Sequence, residues 1–248
     1  MNLDAMVNCA LRALSNAGPP YTVTFANPHS IVVSRHDRLF RTALEQAPLV
    51  APDGSGVVLA SRLCGGKVKN RVTGSDFFET LSQVLNAQGG SRYFFLGSSP
   101  RTLDALRAKF QKLYPSITFA GAFSPPYKDS FSADETAQMI SSINSAKADV
   151  LWVGMTAPKQ EKWIYLNAAS LNVKLIGAIG AVFDYFSGQI RRPGKAWRAC
   201  GMEWFPRLIQ EPKRLWRRNL FSSPQFLYLA ARERLLFTMT QESERNSR

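Results

Sequence analysis

From Tyr21 to Gly180 the chain alternates short apolar runs with longer amphipathic stretches, and few folds accommodate that rhythm. The apolar runs are Tyr21–Ala26, Leu49–Ala51, Tyr93–Leu96, Ile117–Ala120, Val150–Val153 and Val173–Ile176. Each is too short for a helix and continuous enough to be buried on both sides, as a strand covered by helices must be. Between them, helical spacing predicts helices over His29–Leu44, Val57–Leu63, Pro100–Leu113, Ala133–Ala146 and Pro158–Ala169. Another is expected after Gly74, capped by Ser75 or Asp76. A first helix, with apolar residues at Leu3, Met6, Val7, Ala10, Leu11 and Leu14, stops at Gly18-Pro19-Pro20. Strands that repeatedly alternate with helices call for an α/β fold: a parallel sheet with helices on both faces.

The alternation ends near Gly188–Arg192, and the remainder of the chain is built differently. Residues 190–248 hold thirteen Lys/Arg against five Asp/Glu, whereas the preceding 189 residues hold eighteen against thirteen. Trp, Phe and Leu are interleaved with this charge, as in Trp204-Phe205-Pro206-Arg207 and Arg214-Leu215-Trp216-Arg217-Arg218. We therefore expect a Rossmann-like α/β domain over residues 1–192 and a basic, aromatic-rich helical appendage over 193–248. The net charge of +13 points to anionic partners. Basic residues mixed with aromatics suit an anionic membrane surface better than bare nucleic acid. In the helix after Pro212, Leu215, Trp216 and Leu220 are expected to share one side. The three cysteines, Cys9, Cys64 and Cys200, suggest neither a disulfide framework nor a zinc site. The first residues do not read as a signal peptide, and no uncharged apolar run approaches the ~20 residues of a spanning helix. A cytoplasmic protein lying on the membrane is the expectation.

In sheets of this kind ligands bind beyond the carboxyl ends of the strands. Asn27 follows the first strand, Asp53 the second, and Gly97, Gly154 and Gly180 the later ones. Glycine there lets backbone N–H groups approach a phosphate, although any strand-to-helix turn uses glycine too. Asp53, held between Pro52 and Gly54, reads either as a general base or as the cap of the helix that follows. His29 and His36 lack a third ligand, so no metal site is expected. No phosphate loop of the GxxxxGK[ST] type, no Asp-x-Asp pair and no Ser-His-Asp or Cys-His nucleophile is present.

Five segments taken together resemble the WecG/TagA/CpsF glycosyltransferases, bacterial enzymes that extend polyprenyl-pyrophosphate-linked sugars. They are Ala51-Pro52-Asp53-Gly54-Ser55-Gly56-Val57-Val58, Arg71-Val72-Thr73-Gly74-Ser75-Asp76, the stretch Val153–Ile164, the stretch Gly180–Gly188, and Gly201-Met202-Glu203-Trp204 continuing to Arg218. The resemblance implies a Rossmann-like fold and an inverting transfer from a UDP-sugar that needs neither metal nor other cofactor. It implies that Asp53 is the base, that Asn27 lies near the sugar and that Arg71 stands at the pocket. Gln160 and Asp184 match positions lining the nucleotide site. Arg207, Arg214 and Arg217 match arginines thought to reach the active site when the appendage docks on the membrane. The implied partners are a UDP-sugar, a polyprenyl-pyrophosphate-linked acceptor and the inner face of the cytoplasmic membrane. The family's self-association makes a homo-oligomer a further expectation.

The chain departs from the family pattern at Phe25, at Met155-Thr156 and at Ser98-Ser99. These departures leave the reaction class intact but bear on the donor, which we expect to be a hexose or N-acetylhexosamine, with a lean toward a hexose in exopolysaccharide assembly. Two rivals stand beside this reading: a nucleic-acid-binding protein that uses the basic tail, and a soluble UDP-sugar transferase with a non-lipid acceptor.

Overall fold

The computed structural model describes the backbone of residues 2–194, 196–197 and 200–246, with side chains except those of Arg214, Arg217 and 235–246. Along the chain the elements are α1 (Leu3–Ser15), β1 (Tyr21–Ala26), α2 (Pro28–Ser34), α3 (Arg38–Glu45), β2 (Leu49–Pro52), α4 (Ser55–Leu63) and α5 (Gly74–Gln88). There follow β3 (Arg92–Gly97), α6 (Pro100–Leu113), β4 (Thr118–Phe123), α7 (Ala133–Ser145), β5 (Val150–Gly154), α8 (Lys159–Asn167), β6 (Leu175–Ala178) and α9 (Val182–Ser187). The C-terminal region carries α10 (Trp204–Gln210), α11 (Pro212–Arg217), a π-helical turn over Arg218–Ser222, and α12 (Ser223–Asn246).

Two compact units form. The first comprises Met1–Phe25, Asp37–Ala51 and Val72–Arg192. It holds the expected α/β architecture: a six-stranded parallel sheet in the order β2-β1-β6-β5-β3-β4. One core cluster gathers around Trp152, which is fully buried against the edges of Phe77, Phe78 and Tyr93 at centroid distances of 6.0, 5.1 and 5.7 Å. A second cluster joins Leu96, Met139, Ile143, Leu151, Val153, Trp163 and Ile176. Burial of this kind contributes about 1.5–3 kcal/mol per large apolar side chain, so the two clusters fix the sheet between its helices. Gly177 on β6 is required by that packing. A Cβ there would lie 2.2 Å from the Trp152 ring.

The second unit comprises Ala26–His36, Pro52–Arg71 and Pro193–Arg248. Its last segment begins at Pro193, and two earlier segments, which follow β1 and β2 in sequence, belong to it as well. Its small core brings α12 onto α2 and α4 through Phe226, Val32 and Ala60, flanked by Ile31, Val57, Leu227 and Ala230. Two polar contacts add direction: His29 Nδ1 lies 2.8 Å from Ser222 Oγ, and the Cys64 thiol donates to the Ala230 carbonyl at 3.4 Å.

Three local expectations are corrected. The helix expected over His29–Leu44 is two helices, because Asp37 turns its carboxylate onto the Phe40 N–H at 3.0 Å and starts a new one. The cap of α5 is Thr73, which accepts from Asp76 N–H, and not Ser75 or Asp76. In α11 the side chains diverge: Leu215 is buried, whereas Trp216 and, beyond it, Leu220 are exposed. Adjacent residues on a helix point about 100° apart, so an inward Leu215 sends Trp216 outward.

Candidate active site

Asp53 lies in the second segment of the second unit, immediately after Pro52. Its backbone N–H donates to the Ala26 carbonyl at 2.9 Å, which holds it beside the residue that precedes Asn27. The helix-cap reading of Asp53 fails. The cap position of α4 is Gly54, and no side chain caps that helix. Close packing explains why the turn is so small in side chain: a Cβ at Gly56 would fall 2.8 Å from the Pro28 ring. The half-buried Asp53 carboxyl is thus left facing its own unit's charges.

Those charges are Arg218, Glu203, Arg207 and Arg71. Burial raises the Asp53 pKa above the ordinary aspartate value and is the largest influence. Arg218 opposes it, Glu203 reinforces it, and Arg207 and Arg71 oppose it more weakly. The net result is a carboxyl more basic than a solvated one, under the influence of three guanidinium groups and one carboxylate. Arg71 is itself braced by Glu203, Nη1 to Oε2 at 3.1 Å, with both side chains largely covered. Arg207 lies 3.9 Å from Glu211, one helical turn on. Ser55 Oγ donates to the Gly201 carbonyl at 2.8 Å, tying the start of α4 to the segment that leads into Glu203.

Of the residues expected from sequence, Asn27, Asp53, Arg71 and Arg207 therefore belong to one unit, and Asp53, Arg71 and Arg207 to one charge cluster. Asn27 spends its side-chain oxygen on capping α2, accepting from Ser30 N–H at 3.0 Å, so its remaining polar group is the amide NH2. Arg214 and Arg217 lie outside the described residues as far as their side chains are concerned. Two members of the cluster, Arg218 and Glu203, were not singled out from the sequence. Both lie in the family-like segment that runs from Gly201 to Arg218, but of its residues only Arg207, Arg214 and Arg217 were expected at the site.

The other expected residues belong to the first unit. Gly97 and Gly154 are register partners on β3 and β5, and both are needed for packing. Gly97 has φ +120°, and a Cβ there would lie 2.5 Å from the Gly154 carbonyl oxygen. At Gly154 an added Cβ would strike the Phe183 ring at 2.5 Å. Gly180 lies beside Gln160: a Cβ on it would lie 3.6 Å from Gln160 Oε1. Gln160 and its neighbour Glu161 are both buried, and Gln160 Nε2 donates to Glu161 Oε1 at 2.8 Å. Asp184 sits half-buried in the first turn of α9. Lys159, also passed over in the sequence, begins α8. Its ammonium donates to the Lys128 carbonyl at 2.8 Å and lies 5.1 Å from the centre of the Phe131 ring.

The surface of the second unit is apolar and basic at once. Trp197, Trp204, Phe205 and Trp216 are each about two-fifths exposed, while Ile209, Leu220, Phe221 and Tyr228 are more so. Among the described residues no helix is long and apolar enough to cross a membrane. Among them, too, no three His, Cys, Asp or Glu side chains gather as a metal-ligand set.

The glycosyl transferase WecG/TagA/CpsF family model matches residues 1–239, and the chain belongs to that family. It is therefore a glycosyltransferase. It is 32% identical over 212 residues to the N-acetylglucosaminyldiphosphoundecaprenol N-acetyl-beta-D-mannosaminyltransferase of Bacillus subtilis (strain 168), an alignment covering 85% of this chain and 79% of the relative. Proteins of the same name from Bacillus spizizenii and Staphylococcus aureus (strain MW2) are each 28% identical. Those alignments cover 83% and 85% of this chain, and 76% and 79% of the respective relatives.

Proposed function

We propose that this protein transfers an N-acetylhexosamine or hexose from a UDP-sugar to a polyprenyl-diphosphate-linked saccharide, with inversion and without a metal. The observation that carries the reading is the Asp53 carboxyl, freed from any capping role and raised in pKa by burial against the influence of three arginines. A base is most effective when its pKa moves toward the working pH, and burial moves Asp53 in that direction. In the reaction Asp53 accepts the proton of the acceptor hydroxyl as that oxygen bonds to the anomeric carbon. The bond from that carbon to the UDP oxygen breaks on the opposite face, and the electron pair leaves with the diphosphate.

The developing diphosphate charge calls for fixed cations. Arg71, Arg207 and Arg218 are the described candidates, joined by Arg214 and Arg217 on the family pattern. Guanidinium forks suit phosphate oxygens because they donate two parallel hydrogen bonds. Gln160, Asp184 and the Gly154 and Gly180 turns are assigned to the nucleotide, and Asn27 to the donor sugar through its amide NH2. The names of the relatives favour an N-acetylhexosamine over the hexose to which the sequence departures lean. An acceptor with a polyprenyl tail stays in the bilayer, so the enzyme has to come to it. The exposed Trp, Phe and Leu residues of the second unit, set among Lys and Arg, are suited to peripheral docking on an anionic inner leaflet.

The test is transfer of labelled sugar from a panel of UDP-sugars to polyprenyl-diphosphate N-acetylglucosamine in the presence of EDTA. We expect a lipid-linked disaccharide from one N-acetylhexosamine donor at a rate that EDTA leaves unchanged. Transfer only after adding a divalent cation, or only to a water-soluble acceptor, would overturn the metal-free or the lipid-linked part respectively.

A further inference from the structure

Gln160 and Glu161 form an unusual pair at the start of α8. Both side chains are buried, at 5% and 3% exposure. One hydrogen bond joins them, from Gln160 Nε2 to Glu161 Oε1 at 2.8 Å. Among the described residues the two remaining oxygens, Gln160 Oε1 and Glu161 Oε2, have no hydrogen-bond partner although neither is exposed to solvent. A buried acceptor without a donor forfeits its hydration and gets no hydrogen bond in return. A fold that keeps two of them side by side gains nothing in stability from the arrangement, which points to a role with a ligand present. Gly180 lies against this amide, where a Cβ would sit 3.6 Å from Oε1 and 3.7 Å from Nε2.

The chemistry of the pair fixes which way the amide faces. The Gln160 NH2 end donates to the Glu161 carboxyl, which leaves the amide's carbonyl end for something else. We propose that Glu161 is a positioning residue: it turns the Gln160 amide so that its carbonyl oxygen is presented as an acceptor to an N–H of the donor nucleotide-sugar. The inference rests on the UDP-sugar reading above. Two groups of such a donor carry a suitable N–H, the uracil imide and the acetamido group of the sugar. Glu161 does not touch the reacting atoms. Its effect on the reaction runs through Gln160, and Asp53 is left unchanged.

The experiment is a double-mutant cycle in the full-length protein, with Glu161→Gln, Gln160→Ala and the pair together, titrated with UDP and with a UDP-N-acetylhexosamine. Glutamine at 161 is isosteric but can itself donate, so it no longer selects one amide orientation. We expect Glu161→Gln to weaken binding roughly tenfold, about 1.4 kcal/mol, with KM raised and kcat nearly retained. In the Gln160→Ala background the same substitution should change nothing. Its melting temperature should not fall, because a buried carboxylate is being replaced by a neutral amide. Weakening for both ligands assigns the N–H to the imide, and weakening for the N-acetyl sugar nucleotide alone assigns it to the acetamido group. Wild-type affinity in Glu161→Gln, full additivity in the cycle, or a loss of binding matched by a loss of thermal stability would each overturn the proposal. A wild-type protein that binds neither ligand would overturn the UDP-sugar reading itself, and this inference with it.

Discussion

Glu161 should make this protein less stable as the pH rises from about 5 to about 8, and Glu161→Gln should remove that dependence. Desolvation raises the Glu161 carboxyl from 4.5 to about 7, and hydrogen bonds from the Gln160 amide and from its own backbone offset only part of the effect. Between those values the folded protein holds a proton that the unfolded chain has already released. The contribution to stability is therefore fully present below about pH 4.5 and is lost as the pH rises through about 7. At about 1.4 kcal/mol per pH unit, the rise corresponds to about 3 kcal/mol. For a chain of this length 1 kcal/mol shifts the melting temperature by roughly 2–4 °C, so the expected change is roughly 6–12 °C. Differential scanning calorimetry of wild type and Glu161→Gln at pH 5, 6, 7 and 8 reads it directly. Asp53, whose pKa is also raised, titrates in both proteins, so the difference between the two curves isolates Glu161. The variant should melt at about the wild-type temperature at pH 5 and well above it at pH 8. Parallel curves would show that burial does not strip Glu161 of its charge.

Other consequences are simpler. Gly177→Ala should destabilise the first unit by about 1–3 kcal/mol, seen as a lower midpoint in urea, because the new methyl group meets the buried Trp152 ring. Glu203→Gln removes the negative charge that helps raise Asp53, so the acid limb of the pH–rate profile should move to lower pH. An unmoved limb would show that Glu203 does not act on the base. Trp216→Glu combined with Phe221→Glu should lose most flotation with vesicles containing phosphatidylglycerol while keeping UDP affinity. Equal flotation would place the membrane contact elsewhere.

The strand rhythm made most of the first unit legible, because buried parallel strands leave continuous apolar runs such as Val150–Val153, which ends at the turn glycine Gly154. The break inside His29–Leu44 was hidden, since Asp37 is also compatible with a helix exterior. Its capping role depends on where its side chain turns. Of the candidate site, Asp53 and several arginines were named through the family pattern. Arg218 and Glu203 were not, because their importance comes from segments far apart in sequence that meet in the second unit. Glycines at 97 and 154 were legible as strand-end turns, and each also has a packing reason in a neighbouring carbonyl or ring. The Gln160–Glu161 pair was only half legible. A motif names Gln160, but only the structure reveals that its neighbour is buried with it and accepts its amide NH2.

Single-turnover transfer with Asp53→Asn is the sharpest test of Asp53 as the base. Donor and lipid acceptor would be pre-bound to excess enzyme at pH 8, with UDP affinity measured alongside. We predict a transfer rate at least about 10²-fold below wild type with UDP affinity nearly unchanged. A variant that transfers at close to the wild-type rate would remove Asp53 from the proton transfer.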